Sequence, residues 1–190
     1  EGVEIMSCHF EADFERSGRS VLGIRPLLWK NGRPVAGQQI KAGTYEIESE
    51  RRGYSLELAV DFIRMQQERE RFWQMDLTKP LVSIPNQKLE EVNSNWPQGN
   101  IPLRCGDYMF RPHQRWTITP IEKAGGYLSN PYFKITIEGT ERALAATMDK
   151  ELTTVPTFTG SDEQLWRIEQ LTDGTYRIMP KRIPGQDGHD

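Results

Sequence analysis

The chain has 190 residues, with 24 basic and 27 acidic side chains and a formal net charge of −3. So close a balance gives no basic stripe, so no nucleic-acid partner is expected, and the length fits one ordinary domain or one domain with an appendage. No apolar run reaches the roughly 20 residues that cross a bilayer, so no membrane insertion is expected. Glu1-Gly-Val-Glu lacks the basic-then-apolar order of a signal peptide. Cys8 and Cys105 are the two cysteines, far apart in sequence, and are expected as free, buried thiols.

In chain order, Val3–Phe10 alternates with Ile5 and His9 on one face and Met6, Cys8 and Phe10 on the other, the pattern of a strand. A polar stretch ending in Ser-Gly-Arg leads into a second, mostly apolar strand, Val21–Trp29. Pro26 lacks an N–H for the ladder and marks an edge or a bulge. Lys30-Asn31-Gly32-Arg33-Pro34 reads as a tight turn. The run from Arg64 to Arg71 alternates in sign and reads as a solvated face. From Gly43 onward one phrase recurs. Gly43-Thr-Tyr45-Glu-Ile47 is echoed by Gly174-Thr-Tyr176-Arg-Ile178, and tryptophans at 73, 116 and 166 each open an apolar alternation. Their spacings of 43 and 50 residues predict three units of similar length. Leu165–Ile168 and Tyr176–Met179 flank Asp173-Gly174 and predict a hairpin.

Two resemblances follow from these residues. Tyr132-Phe-Lys-Ile-Thr-Ile-Glu-Gly139-Thr-Glu-Arg-Ala143-Leu144-Ala145, followed by Glu163-Gln164-Leu165-Trp166, resembles a ricin-type repeat. That resemblance implies an all-β fold, a ricin-like β-trefoil with three Gln-x-Trp-type units, their tryptophans filling the core. Separately, Cys8-His9-Phe10-Glu-Ala-Asp13, then Leu22-Gly-Ile-Arg25-Pro26-Leu27-Leu-Trp29 and Gly32-Arg33-Pro34-Val35, is similar to the stretch that closes the propeller of family 43 arabinanases. Arg33 stands where that family has tryptophan, and Phe10-Glu11 where it has two aromatics. The resulting organisation is an N-terminal β-hairpin extension at 1–40, a trefoil at 41–183 and a flexible tail at 184–190.

Sugar binding in ricin-type units relies on an acid after the Leu, an aromatic platform and an amide near the Gln-x-Trp. The third unit has Ala145 and Glu163 at the acid and amide positions, and the first has Leu56-Glu57 with no clear aromatic. The second offers Glu90, Asn93 and Trp96 in a polar loop, with His113 ahead of Gln114. These four residues form the expected carbohydrate site. By the arabinanase resemblance His9 matches a histidine that helps hold a metal, typically calcium, with partners from a propeller. The paired carboxyl groups of glycoside hydrolysis are not recognisable, so no catalytic residue is assigned. The resemblances imply a non-catalytic module of a secreted or periplasmic arabinan-degrading glycoside hydrolase. Its partners would be an arabinan-type polysaccharide or oligosaccharide and a propeller in cis, or a homodimer through the hairpin. A free-standing lectin-like trefoil and a purely structural module are the alternatives.

Overall fold

The computed structural model describes residues 4–12, 18–37, 40–50, 53–60, 96–127 and 130–185. Over these residues the chain is all-β, with a three-stranded sheet near the N-terminus and a nine-stranded sheet from the remainder. No helix there is long and apolar enough to cross a membrane.

The smaller sheet has β1 (Ile5–Ala12), β2 (Arg19–Lys30) and β3 (Arg33–Ala36), with β2 in the middle. Asn31 and Gly32 join β2 to β3 with φ of 53° and 73°. Two successive positive φ values make a two-residue hairpin turn whose twist matches that of the strands, and Asn-Gly is the pair that adopts it most cheaply. Pro26 is tolerated in a central strand because of where β3 stops. On the β1 side Leu27, not Pro26, donates to Glu4, so the proline nitrogen faces β3, whose last paired residue is Ala36 opposite Leu27. The Gly37 N–H still donates to the Pro26 carbonyl at 2.7 Å, so this last pair keeps one of its two bonds and lacks only the donor that proline does not have. Directly paired residues share a face, which places Ile5, Leu22, Ile24, Leu28 and Val35 together. They are 40–62% exposed, an apolar stripe among the described residues with nothing packed over it.

The larger sheet is built from repeats. The first contains β4 (Gly43–Tyr45), β5 (Tyr54–Leu58), β6 (Ile101–Asp107), a 3-10 turn at Pro112–Gln114 and β7 (Trp116–Tyr127). The second contains β8 (Asn130–Ile137), β9 (Ala143–Ala146), β10 (Leu152–Val155), a 3-10 turn at Asp162–Gln164 and β11 (Trp166–Gln170). Strand β12 (Tyr176–Pro180) stands to β11 as β8 stands to β7. Each tryptophan is paired with the opening strand of its own repeat (Tyr45 or Phe133) and with the strand that follows (Ile137 or Pro180). The indole N–H of Trp116 donates to the Leu56 carbonyl at 2.9 Å, and that of Trp166 to the Leu144 carbonyl at 3.0 Å.

These bonds correct the expected allocation of segments. Leu56-Glu57 was expected in a unit with Trp73, yet its carbonyl partner is Trp116. The two tryptophans reach back 60 and 22 residues to equivalent leucines, so the first repeat has 38 additional residues between its leucine and its tryptophan. Trp73 lies outside the described residues. Arg142, which is buried, closes the gap left by that long connection: it donates to the carbonyls of Gly99 and Pro97, both at 2.8 Å. Burial lowers its guanidinium from the ordinary value. The core gathers Leu58, Ile101, Trp116, Phe133, Ile135, Ile137, Leu144 and Trp166. The thiols of Cys8 and Cys105 are free, but neither is buried as expected: Cys8 is half-buried and Cys105 exposed.

Trp116 and Trp166 are at most 1% exposed, so truncation removes both packed area and a strand-bridging hydrogen bond. Trp166→Ala is expected to lower stability by about 3–5 kcal/mol, measured by urea unfolding of the whole chain.

Candidate functional site

The first repeat gathers its polar chemistry around Gln114, which is 1% exposed. Its side-chain oxygen accepts from the backbone N–H of Met109 at 2.9 Å and of Arg111 at 3.3 Å. Its amide nitrogen donates to Glu57 Oε2 at 2.6 Å and to the Asp107 carbonyl at 2.7 Å. Glu57, 5% exposed, also accepts from Arg104 Nε at 2.6 Å, and His113 Nε2 stands 3.4 Å from it. A buried carboxylate is tolerable only when its lone pairs are so occupied. Gly106 makes the space, because a Cβ there would lie 2.6 Å from a Glu57 carboxylate oxygen. The carboxylate thus lies buried over the backbone of β6, with a cation and an amide holding it and an imidazole beside it.

The second repeat keeps the framework without the charge. Gln164 accepts from the Thr159 N–H at 2.7 Å, as Gln114 does from Met109. Ala145 follows Leu144 where Glu57 follows Leu56. Of the two repeats among the described residues, only the first brings acid, amide and imidazole together.

Beyond β6 the chain carries Tyr108, Met109 and Phe110 outward. The rings of Tyr108 and Phe110 are tilted with centroids 4.7 Å apart, and Phe110 is 80% exposed. A second polar surface lies between β7 and β8. There Thr117, Thr119, Lys134, Thr136 and the turn Gly139–Glu141 line an open groove of about 320 Å3. Lys134 Nζ sits 5.5 Å from the Phe158 ring centre beside it.

Of the residues expected from sequence, His113 is in this cluster, half-buried beside Glu57. Glu90 and Asn93 lie outside the described residues. Trp96 is 6% exposed within the core cluster, and its indole N–H has no partner among the described residues. A ring so placed offers ligands no open face. His9 is exposed on β1 opposite Leu22. Among the described residues no group of three His, Cys, Asp or Glu side chains could hold a metal. Calcium takes six to eight oxygens, so His9 does not by itself fit that ion. Sequence reasoning missed the aromatic pair Tyr108 and Phe110, which flanks the Met109 N–H held by Gln114. The signal was available: superposing the two Gln-x-Trp phrases at an offset of 50 residues aligns Tyr108 with Phe158 and Phe110 with Gly160.

Residues 112–184 match the family described as "Ricin-type beta-trefoil lectin domain-like". The span runs from the 3-10 turn of the first repeat through β12 and includes Trp116 and Trp166, but not the N-terminal hairpin. No curated protein and no solved structure matches the chain. The fold is accordingly an all-β, ricin-like β-trefoil, and its lectin-like character points to carbohydrate as the general class of partner.

Gln114→Leu would leave two backbone donors and the Glu57 carboxylate without their partner. The expected result is a loss of about 1–3 kcal/mol in denaturant unfolding, with faster amide exchange at Met109 and Arg111.

Proposed function

We propose that this chain is a non-catalytic carbohydrate-binding module of an arabinan-degrading glycoside hydrolase. The observation that carries the binding half of this reading is the convergence of Glu57, His113 and Gln114 in one repeat of a lectin-like fold. The half-buried His113, backed by the buried Glu57, can bond a sugar hydroxyl, and the exposed Phe110 ring of the same repeat can cover the C–H face of a sugar. Glu90 and Asn93 are proposed to join His113 on sequence grounds, with Trp96 supporting the site from the core. The arabinan half rests on the similarity of residues 8–37 to the closing stretch of an arabinanase propeller. The apolar stripe of Ile5, Leu22, Ile24, Leu28 and Val35 supports it, since a sheet of this kind inside a propeller has neighbours on both faces. Localisation outside the cytoplasm belongs to the same proposal.

A single shallow site of this kind binds at roughly millimolar strength, about −4 kcal/mol, and tethering to an enzyme on its polymer raises the effective affinity. Calorimetric titration of the chain with arabinan-derived and galactose-containing oligosaccharides tests the reading. Binding is expected for the wild type and a loss of at least fivefold for His113→Ala. No binding to any of these sugars would leave a purely structural module.

The hairpin makes its own prediction. Without a propeller, the chain is expected to self-associate through the β1–β3 face, and Ile24→Lys should return it to a monomer in sedimentation velocity. A wild-type chain that sediments as a monomer at all concentrations would count against the missing neighbour.

A further inference from the structure

Alternation along β7 and β8 sets apart a polar face that the Gln114 cluster does not use. Trp116, Ile118, Ile135 and Ile137 are at most 5% exposed and point into the core, so Thr117, Thr119, Lys134 and Thr136 point outward. Thr117 pairs with Thr136 and Thr119 with Lys134, so the four make two rungs of one ladder. With the turn Gly139–Glu141 that follows β8, they line the open groove of about 320 Å3. Neither Gln-x-Trp glutamine and no aromatic ring lines it.

The next hairpin shows what such a face looks like when it is filled. Matched on Trp116 and Trp166, the rung Thr117–Thr136 corresponds to Arg167–Met179, and the rung Thr119–Lys134 to Glu169–Arg177. Arg167 pairs with Glu169 at 3.0 Å and donates to Met179 Sδ at 3.6 Å. Long side chains there cover the strands and satisfy one another. Short threonines at the matching positions of β7 and β8 leave the space open.

Sorting the groove's polar groups by the bonds they already make leaves a definite set. The Thr140 hydroxyl donates to the Ile137 carbonyl at 2.9 Å and accepts from the Arg142 N–H at 3.1 Å. Thr117 shares its hydroxyl with Thr44 at 3.5 Å. Glu138, on the same face, is held by Arg115 at 2.9 Å and by Thr44 at 3.3 Å. Four groups then have no hydrogen-bond or ion-pair partner among the described residues: the hydroxyls of Thr119 and Thr136, the Lys134 ammonium and the Glu141 carboxylate. Thr136 decides the matter. It is 5% exposed and lines the groove, yet its hydroxyl bonds nothing in the protein. A polar group so enclosed is normally satisfied, and an unsatisfied one marks a place where something else supplies the bond. Lys134 is held in place as well, with Nζ 5.5 Å from the Phe158 ring centre, a contact that leaves its N–H donors available.

An ammonium and a carboxylate on the walls of one groove select for the ligand's charge. A simple anion would meet the like charge of Glu141, and a simple cation that of Lys134. A sugar ring finds no face to stack on, because the nearest aromatic, Phe158, already lies under Lys134. We propose that the groove binds a small zwitterion of the amino-acid type. Its carboxylate accepts from Lys134 Nζ and from the Thr119 and Thr136 hydroxyls, while its ammonium donates to Glu141. Charge-assisted bonds at both ends orient such a ligand, and the volume is at the small end of ligand pockets. The site shares no residue with Glu57, His113 and Gln114 and does not depend on the carbohydrate reading.

The test is an NMR amide-shift titration of the whole chain with glycine, alanine and glycylglycine, beside acetate, methylammonium and an arabino-oligosaccharide. Saturable shifts at residues 117–119 and 134–141 are expected with the three zwitterions, at roughly millimolar strength. Acetate and methylammonium should bind about fivefold more weakly or worse, and Lys134→Gln and Glu141→Gln should each weaken glycine by about fivefold or more. Thr136→Val should weaken it about threefold while Tm holds within about 2 °C or rises, because the hydroxyl it removes has no protein partner to lose. No shifts with any zwitterion would overturn the site. So would glycine binding that Lys134→Gln and Glu141→Gln both leave unchanged, since the ligand would then sit elsewhere. Acetate binding as tightly as glycine would make this an anion site and overturn the zwitterion. Oligosaccharide shifts at the same residues, lost in Lys134→Gln, would make it a sugar groove and overturn it likewise. A Tm drop well beyond 2 °C in Thr136→Val would overturn it by giving the hydroxyl a structural role.

Discussion

Everything in the larger sheet depends on one arrangement used twice: a tryptophan whose ring fills the core while its N–H reaches a strand carbonyl two elements earlier. Trp116 and Trp166 make this bond at 2.9 and 3.0 Å to Leu56 and Leu144. A buried indole contributes large apolar area, but its N–H must find an acceptor or the burial loses much of its value. Spending that donor on the second strand of the repeat fixes the distance between the strand that opens the core and the one that closes it. The glutamine two residues earlier then serves the loop, since its amide oxygen caps the backbone just before the 3-10 turn. One short phrase thus sets both the core and the rim.

The division of labour explains how one repeat can vary its rim without altering the fold. In the second repeat Gln164 accepts from the Thr159 N–H and Ala145 stays small. In the first, Gln114 meets an added carboxylate, and the carboxylate brings Arg104 and His113 with it. A buried acid introduced alone would be costly. Here Gly106 yields the volume, Arg104 the opposite charge, and Gln114 a donor, so the group is held without distortion of β6. Function can be placed on such a frame because the frame's own bonds are made elsewhere.

How legible this was in the sequence depends on whether local pattern or long-range pairing decides each feature. Period-two alternation around Asp173-Gly174 gave the hairpin of β11 and β12, and the alternation from Val3 to Trp29 gave β1 and β2. The ladder-edge position of Pro26 was likewise readable from its missing N–H. The membership of Leu56 and Glu57 was not, because equal spacing of tryptophans implied equal units, and the extra 38 residues fall inside a repeat rather than between repeats. Trp96 among amides has the composition of a surface loop, yet its ring is in the core, where tertiary packing overrides composition. Phe110 carried no local signal; only its alignment with Gly160 shows that the position is unusual.

The long connection in the first repeat raises the question of how that repeat stays closed. Strands β9 and β10 are joined by residues 147–151, and β5 and β6 by residues 59–100, five residues against 42. Closure entropy grows only with the logarithm of the number of residues enclosed, so tying in a longer connection is a modest cost. The re-entry point supplies what offsets it. Trp96 buries a ring of roughly 200 Å2, on the order of 5 kcal/mol at about 25 cal/mol per Å2 before ordering entropy is counted. Arg142, from the turn between β8 and β9, then holds the carbonyls of Pro97 and Gly99 at 2.8 Å. A guanidinium suits this task because its planar fork meets two carbonyls at once and keeps its charge when buried. The second repeat thereby fixes the chain of the first where it returns to the sheet. Ile101 is delivered to the core two residues beyond Gly99, and β6 starts in register with both β5 and β10. The polar cluster on β6 is aligned by that register, so the geometry around Glu57 depends on a clamp supplied by the neighbouring repeat.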